Sequence, residues 1–273
     1  MLYLPASNAR AIEKARALPA DVVILDLEDA VAPDAKAEAR QAAVEAVKAG
    51  GFGQREVAIR VNGRDTEWGD ADIAAAARSG ADAILVPKVS SPDDVRHYDA
   101  ALAGAPDATQ LWAMVETCAA VPALDSIAAL ASETRLSLFV MGTNDLAKET
   151  GVELTEDRRY LAPFLFQLVM AARAGGISVL DGVSNDFRDL DAFGKGCREA
   201  RSMGFDGKTL IHPAQIAPAN AVFAPSSEAI AEAEAIVAAF ADPENAGRGV
   251  ISLNGRMVER LHLEMAQTLL ERA

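Results

Sequence analysis

The stretch VVILDLEDAV, residues 22–31, runs from an apolar strand into Asp26, Glu28 and Asp29, three acids within four positions. Carboxylates at the end of a core strand are costly to bury unless something pairs them. Polar endings recur further on. Arg60 and Asn62 lie in IRVNG, Lys88 follows Pro87, Glu116 and Thr117 close MVET, and Gly142, Thr143, Asn144 and Asp145 follow LSLFVM. Asp181, Ser184 and His212 end two later runs. Oxygen donors without accompanying His or Cys suit Mg²⁺, which takes one or two carboxylates and fills its octahedron with water and substrate. Arg60 offers a planar fork for a carboxylate or enolate oxygen, and the N–H groups around GTND could cradle an anion. Each residue also has a purely structural role open to it. Glu116 could be a paired buried acid, Arg60 an interior partner of the acids, Asn144 or Asp145 a helix N-cap, and His212 a cap at a strand end. Strand alternation puts Asp26 and Glu28 on one face and Asp29 on the other.

The elements that must position these residues alternate along the chain. Apolar runs at 2–4, 22–27, 56–61, 82–87, 111–116, 136–141, 177–182 and 207–212 read as strands. Between them lie alanine-rich helical patterns such as DAKAEARQAAVEAVKAG, which runs into the double glycine expected of a helix C-terminus. Nearly continuous apolar strands, each followed by a helix, predict a parallel sheet covered on its outside, and eight repeats are the count of a closed (β/α)₈ TIM barrel. A doubly wound open sheet is the alternative, but no GxGxxG opens a helix after the first strand. In a barrel, the strand ends carrying these polar residues meet at one mouth. The expected division is a barrel over 1–224 and a C-terminal helical extension over 225–273. The extension contains a helix over 226–241, a turn at Asn254-Gly255 and a final helix, and is read as a lid or subunit-interface element.

Composition narrows the function classes. Of 273 residues, 51% are hydrophobic, enough for a large core, and 40 acids against 26 bases give a net charge of −14. That charge argues against nucleic-acid binding but leaves room for a polyanionic cofactor if a few cations cluster. Two cysteines without metal-ligand spacing fit a reducing cytoplasm. The N-terminus lacks the pattern of a signal peptide, and no run approaches the ~20 apolar residues of a membrane-spanning helix.

Six segments, VVILDLEDAVAPDAKAEAR, IRVNG, AILVPKV, MVET, MGTNDLA and GFDGKTLIHPAQI, follow in an order that resembles the citrate lyase β-subunit-like family of the HpcH/HpaI aldolase superfamily. The resemblance spans essentially the whole chain. It implies a TIM barrel using Mg²⁺, with Mn²⁺ able to substitute, and acting on CoA thioesters. By motif, Glu116 and Asp145 would be the metal ligands and Arg60 would bind the thioester or keto-acid oxygen. The amides of Gly142, Thr143, Asn144 and Asp145 would hold the substrate carboxylate, and Glu28 and Asp29 would hold metal-bound waters.

The implied activity is a carbon–carbon lyase cleaving malyl-CoA, β-methylmalyl-CoA or citramalyl-CoA into acetyl- or propionyl-CoA and a 2-keto acid (glyoxylate or pyruvate). Alternatives are the lyase subunit of a citrate lyase complex, releasing oxaloacetate from a citryl acyl carrier protein, a free pyruvate-forming aldolase, and a non-catalytic acyl-CoA-binding barrel. Family members that also hydrolyse or condense thioesters carry an aspartate in a C-terminal motif that reaches a neighbouring subunit's site. Here NGRMVERLH places Glu259 there, which sets thioesterase activity in doubt on this reading. Arg10, Lys14 and Lys36 are the cations expected near the CoA phosphates, and a homotrimer or hexamer is the expected assembly.

Overall fold

A computed structural model describes residues 1–271. Eight strands form one parallel sheet in sequential order: β1 Leu2–Pro5, β2 Val22–Asp26, β3 Glu56–Arg60, β4 Ala83–Val86, β5 Gln110–Val115, β6 Leu136–Met141, β7 Ser178–Asp181 and β8 Gly207–Lys208. The sheet closes on itself. Leu2 bridges Leu210 in parallel, with Tyr3 N–H donating to Leu210 O at 2.9 Å and Leu210 N–H to Met1 O at 2.8 Å. This is the expected (β/α)₈ barrel.

Helices cover the ring: α1 Ala9–Ala15, α2 Lys36–Ala49, α3 Gly69–Ala77, α4 Pro92–Ala101, α5 Leu124–Ala128, α6 Thr143–Thr150, α7 Ala162–Gly175, α8 Leu190–Met203 and α9 Ile216–Phe223. Their ends follow from local chemistry. Ser91 caps α4 ahead of Pro92, and Asp189 caps α8 by accepting from Ala192 N–H at 2.9 Å. Helix α2 stops at Gly50, whose φ of +63° few other residues adopt.

Side chains alternate along each strand, so one set fills the barrel and the other packs under the helices. Val22, Ile24, Ala58, Ala83, Leu85, Trp112, Met114, Leu138, Val140 and Leu180 form one buried cluster, with Met1 and Tyr3 packed against it. Trp112 is the largest fully buried side chain in this cluster.

The chain divides into two compact units, Met1–Ala219 and from Asn220 onward. The division falls within α9, where the sequence pattern placed it after residue 224. The second unit holds α10 Ser227–Ala241, the strands β9 Val250–Leu253 and β10 Arg256–Glu259, and α11 Arg260–Leu270. Strands β9 and β10 pair antiparallel through Asn254-Gly255, both with positive φ (52° and 76°), as a tight hairpin turn requires.

Candidate active site

The period of two that fills the barrel also builds its mouth. Counting inward-facing positions upward gives Ile24 then Asp26, Ala58 then Arg60, Met114 then Glu116, and Val140 then Gly142. Asp26 is the direct parallel partner of Arg60. Gly142 follows Met141, the partner of Val115, so it lies beside Glu116. Register alone therefore assembles an acid, a guanidinium, a second acid and a glycine at one end of the barrel.

Arg60 is the centre of the first group. Its Nε and Nη2 donate to the two oxygens of Asp26, each at 2.6 Å, and its Nη1 lies 2.7 Å from Glu28 Oε2 and 3.4 Å from Asp29 Oδ2. The fork read for a carboxylate or enolate oxygen is thus taken by Asp26, and a substrate oxygen would have to share Nη1 with Glu28 and Asp29. The guanidinium also stacks on the Tyr3 ring, 4.8 Å from its centroid. These acids hold Arg60 protonated well above its ordinary range against the cost of burial.

Strand alternation does not hold beyond Asp26. Asp26 accepts from the N–H groups of Glu28 (2.9 Å) and Ala30 (3.1 Å), turning the chain so that Asp29 joins its neighbours on Arg60 instead of facing away. Lys36 braces this turn from behind. It is buried, and its ammonium donates to Leu27 O (2.8 Å), Glu28 O (2.7 Å) and Asn62 Oδ1 (2.8 Å). All three donors are occupied, so the reading of Lys36 as a phosphate ligand is corrected: it is a structural tie.

The second group surrounds Glu116, which is 1% exposed. Burial, and then repulsion from Glu28 and Asp145, push its pKa up to about 8. Its Oε1 accepts from Lys88 N–H at 2.9 Å, and Oε2 lies against Gly142, where any side chain would collide with it. Lys88 has φ +54°, a left-handed conformation costing a lysine roughly 1–3 kcal/mol. Its ammonium reaches Glu28 Oε1 at 3.2 Å. Asp145 stands in the first turn of α6, whose N-cap is Gly142 with no side-chain cap, so neither Asn144 nor Asp145 serves as the cap.

These residues fit a divalent cation. Five carboxylates (Asp26, Glu28, Asp29, Glu116 and Asp145) face Arg60 and Lys88. Glu28 Oε2 is buried and receives no hydrogen bond despite its closeness to Arg60. Burial, outweighing the pull of Arg60, raises the Glu28 pKa. The cluster is short of positive charge. Among the described residues no group of three or more His, Cys, Asp or Glu side chains is arranged to enclose a metal. The two ligands that the resemblance implied, Glu116 and Asp145, would be the sparse protein ligation that suits Mg²⁺.

Above these groups opens a cavity of about 260 Å³, lined by Tyr3, Asp26, Asp29, Arg60, Met114, Glu116, residues 141–145, Val183, Asn185, Thr209 and Ile211. The N–H groups opening α6 face no preceding helical turn and suit an anion. Asn144 and Asn185 exchange amide hydrogen bonds of 3.1 and 2.9 Å. Tyr3 and Met114 were legible from strand alternation. Asn185 lies in a loop with no periodic signal and was missed.

Other candidates stand elsewhere. Asp181 is fully buried between Arg158 (2.7 Å) and Lys208 (2.6 Å), a structural ion cluster. His212 accepts from Ala214 N–H at 3.1 Å and stacks on Phe187, so it is a cap. Arg10 and Lys14 are exposed one turn apart on α1, with Arg10 in its first turn. Glu259, half-buried in the second unit, closes β10, and its N–H donates to His262 Nδ1 at 2.9 Å.

A family model described as HpcH/HpaI aldolase/citrate lyase matches residues 1–213. A (3S)-malyl-CoA thioesterase of Cereibacter sphaeroides is 47% identical over 273 residues, covering 100% of this chain and 93% of the relative. An L-malyl-CoA/beta-methylmalyl-CoA lyase of Cereibacter sphaeroides is 33% identical over 298 residues, with the same coverages. Among solved structures, the CitE protein of Mycobacterium tuberculosis in complex with magnesium, acetoacetate and coenzyme A matches with a TM-score of 0.79 at 30% identity, covering 100% of this chain and 96% of that one. The motif resemblance is borne out, but the lyase activity it implied is corrected. The relatives at 47% are thioesterases, which are hydrolases, whereas the lyases stand at 33%.

Proposed function

The chain belongs to the HpcH/HpaI aldolase/citrate lyase family, a family of enzymes, and from that premise we propose that it hydrolyses the CoA thioester of a small hydroxy-dicarboxylic acid of the malyl type. The observation that carries this reading is the full-length likeness to (3S)-malyl-CoA thioesterases at 47% identity. The doubt that Glu259 cast on hydrolysis gives way to it.

The cavity is compatible with the substrate. About 260 Å³ admits a four-carbon acyl group, while the much larger CoA must lie outside, with Arg10 and Lys14 as the cations offered to its phosphates. The amides of Thr143, Asn144 and Asp145 would receive the distal carboxylate, and Arg60 Nη1 the thioester oxygen as charge develops there. Water adds to the thioester carbon, the carbon–sulfur bond breaks, and the water's proton passes through a carboxylate to the departing thiolate. Asp29 is the carboxylate open both to solvent (65% exposed) and to Arg60, and Glu28 stands behind it. Glu259, contributed by a neighbouring copy, is the second candidate for this role. Mg²⁺ held by Glu116 and Asp145 would supply charge balance and polarisation of the substrate oxygens, as the magnesium in the CitE complex encourages.

We place the enzyme in the cytoplasm as a homotrimer or hexamer. The exposed Met257, Leu261 and Met265 (69%, 59% and 62%) give the second unit an apolar edge suited to another copy. No helix among the described residues is long and apolar enough to cross a membrane.

The test is thiol release from (S)-malyl-CoA, followed with Mg²⁺ and with EDTA. We expect metal-dependent release that falls at least a hundredfold in Glu116→Gln. Equal release in EDTA, or an unaffected Glu116→Gln enzyme, contradicts the role given to this site.

A further inference from the structure

Among the described residues, three that are not glycine have positive φ: Lys88, Arg158 and Asn254. Asn254 occupies a hairpin turn where asparagine is at home. Lysine has no side-chain hydrogen bond that makes this conformation easy, so the surroundings of Lys88 must impose it.

Those surroundings are specific. The chain leaves the barrel ladder after Val86, the partner of Ala113, and rejoins β5 when Val89 N–H donates to Met114 O at 3.1 Å. The left-handed step between aims the Lys88 N–H at Glu116 Oε1, while its ammonium lies on Glu28 Oε1 and its carbonyl accepts from Ser90 Oγ at 3.0 Å. One residue therefore grips two carboxylates that follow different strands. With Oε1 occupied, Glu116 is left Oε2 for a cation. Glu28, held between Lys88 and Arg60, is kept as a neighbour of the cation site and not as a ligand.

We infer that Lys88 is a positioning residue: its backbone N–H orients Glu116 and its ammonium holds Glu28 in register with Arg60, so that the two acids take different roles in one site. This rests on the reading of that site as a Mg²⁺-dependent thioesterase centre.

The two halves of the grip can be separated. Lys88→Gly keeps the left-handed backbone and the N–H but removes the ammonium, and Lys88→Arg restores a cation. Each variant is assayed for kcat and KM on malyl-CoA, for thermal stability, and for Mg²⁺ affinity by calorimetry without substrate. In Lys88→Gly we expect kcat to fall tenfold or more with KM within threefold. Mg²⁺ should bind tighter, by up to tenfold, because a repelling charge has gone while the Glu116 ligand stays oriented. Lys88→Arg is expected to recover kcat to within fivefold of the parent.

A Lys88→Gly enzyme with parental kcat overturns the inference. So does a Lys88→Arg enzyme no better than Lys88→Gly. A joint loss of Mg²⁺ affinity beyond tenfold and of thermal stability would mean a scaffold role only and also overturns it. If the parent hydrolyses no malyl-CoA, the functional reading fails separately, and calorimetry alone decides: tighter Mg²⁺ binding in Lys88→Gly supports the grip, and binding unchanged or weakened overturns it.

Discussion

Glu116 shows how a single position couples stability to chemistry. Its proton leaves the unfolded chain near pH 4.5 but the folded one only near 8. Between those values the unfolded state binds fewer protons, so stability falls as pH rises, by an amount on the order of a few kcal/mol. The buried Met1 amine, lowered to about 6 by desolvation, acts in the opposite sense: stability rises between about 6 and 8 as the unfolded amine gives up its proton. The measurement is therefore a difference. In EDTA, the melting temperature of Glu116→Gln should gain on that of the parent by roughly 5 °C or more between pH 5 and pH 8. Added Mg²⁺ should raise the parent's melting temperature more at pH 8 than at pH 5, since a cation competes with that proton. Parallel pH curves for the two proteins would contradict this. At this scale the sequence was only partly legible. It marked Asp26, Arg60, Glu116 and Asp145, but Asp29 and Lys36 owe their roles to a turn that no alternation rule foretells, and Lys36 is buried although it is a lysine.

Strand register decides what the elements can do. The strands were readable as apolar runs, the helices between them from their alanine-rich patterns, and the hairpin from Asn254-Gly255. The loops were not, because residues such as Lys88 and Asn185 are placed by hydrogen bonds to other elements and carry no periodic mark. The β6–α6 junction offers a direct check. Gly142 has an ordinary negative φ (−102°), so alanine there brings no backbone strain, yet its Cβ would meet Glu116. Gly142→Ala is expected to lower kcat at least a hundredfold by displacing that carboxylate, while the far-ultraviolet circular dichroism of the barrel stays unchanged. Retained activity would mean that Glu116 has freedom which the close packing here denies it.

For the whole molecule, the apolar edge of the second unit predicts association. Leu261 and Met265 lie one turn apart on α11, so Leu261→Asp with Met265→Asp should shift the mass measured by light scattering from an oligomer toward a single chain. Parent and variant of equal mass would remove these residues from any interface. The motifs were sufficient to read the barrel and the family, but not to separate hydrolysis from carbon–carbon cleavage. Both reactions start from the same thioester, but hydrolysis adds a water to its carbonyl carbon, whereas carbon–carbon cleavage removes the hydroxyl proton and adds no water. That division is measured most directly by incubating the enzyme with (S)-malyl-CoA and Mg²⁺ in heavy-oxygen water and weighing the products. Hydrolysis requires free CoA and malate in equal amounts, with one heavy oxygen in a malate carboxylate. Acetyl-CoA and glyoxylate in place of labelled malate would contradict it.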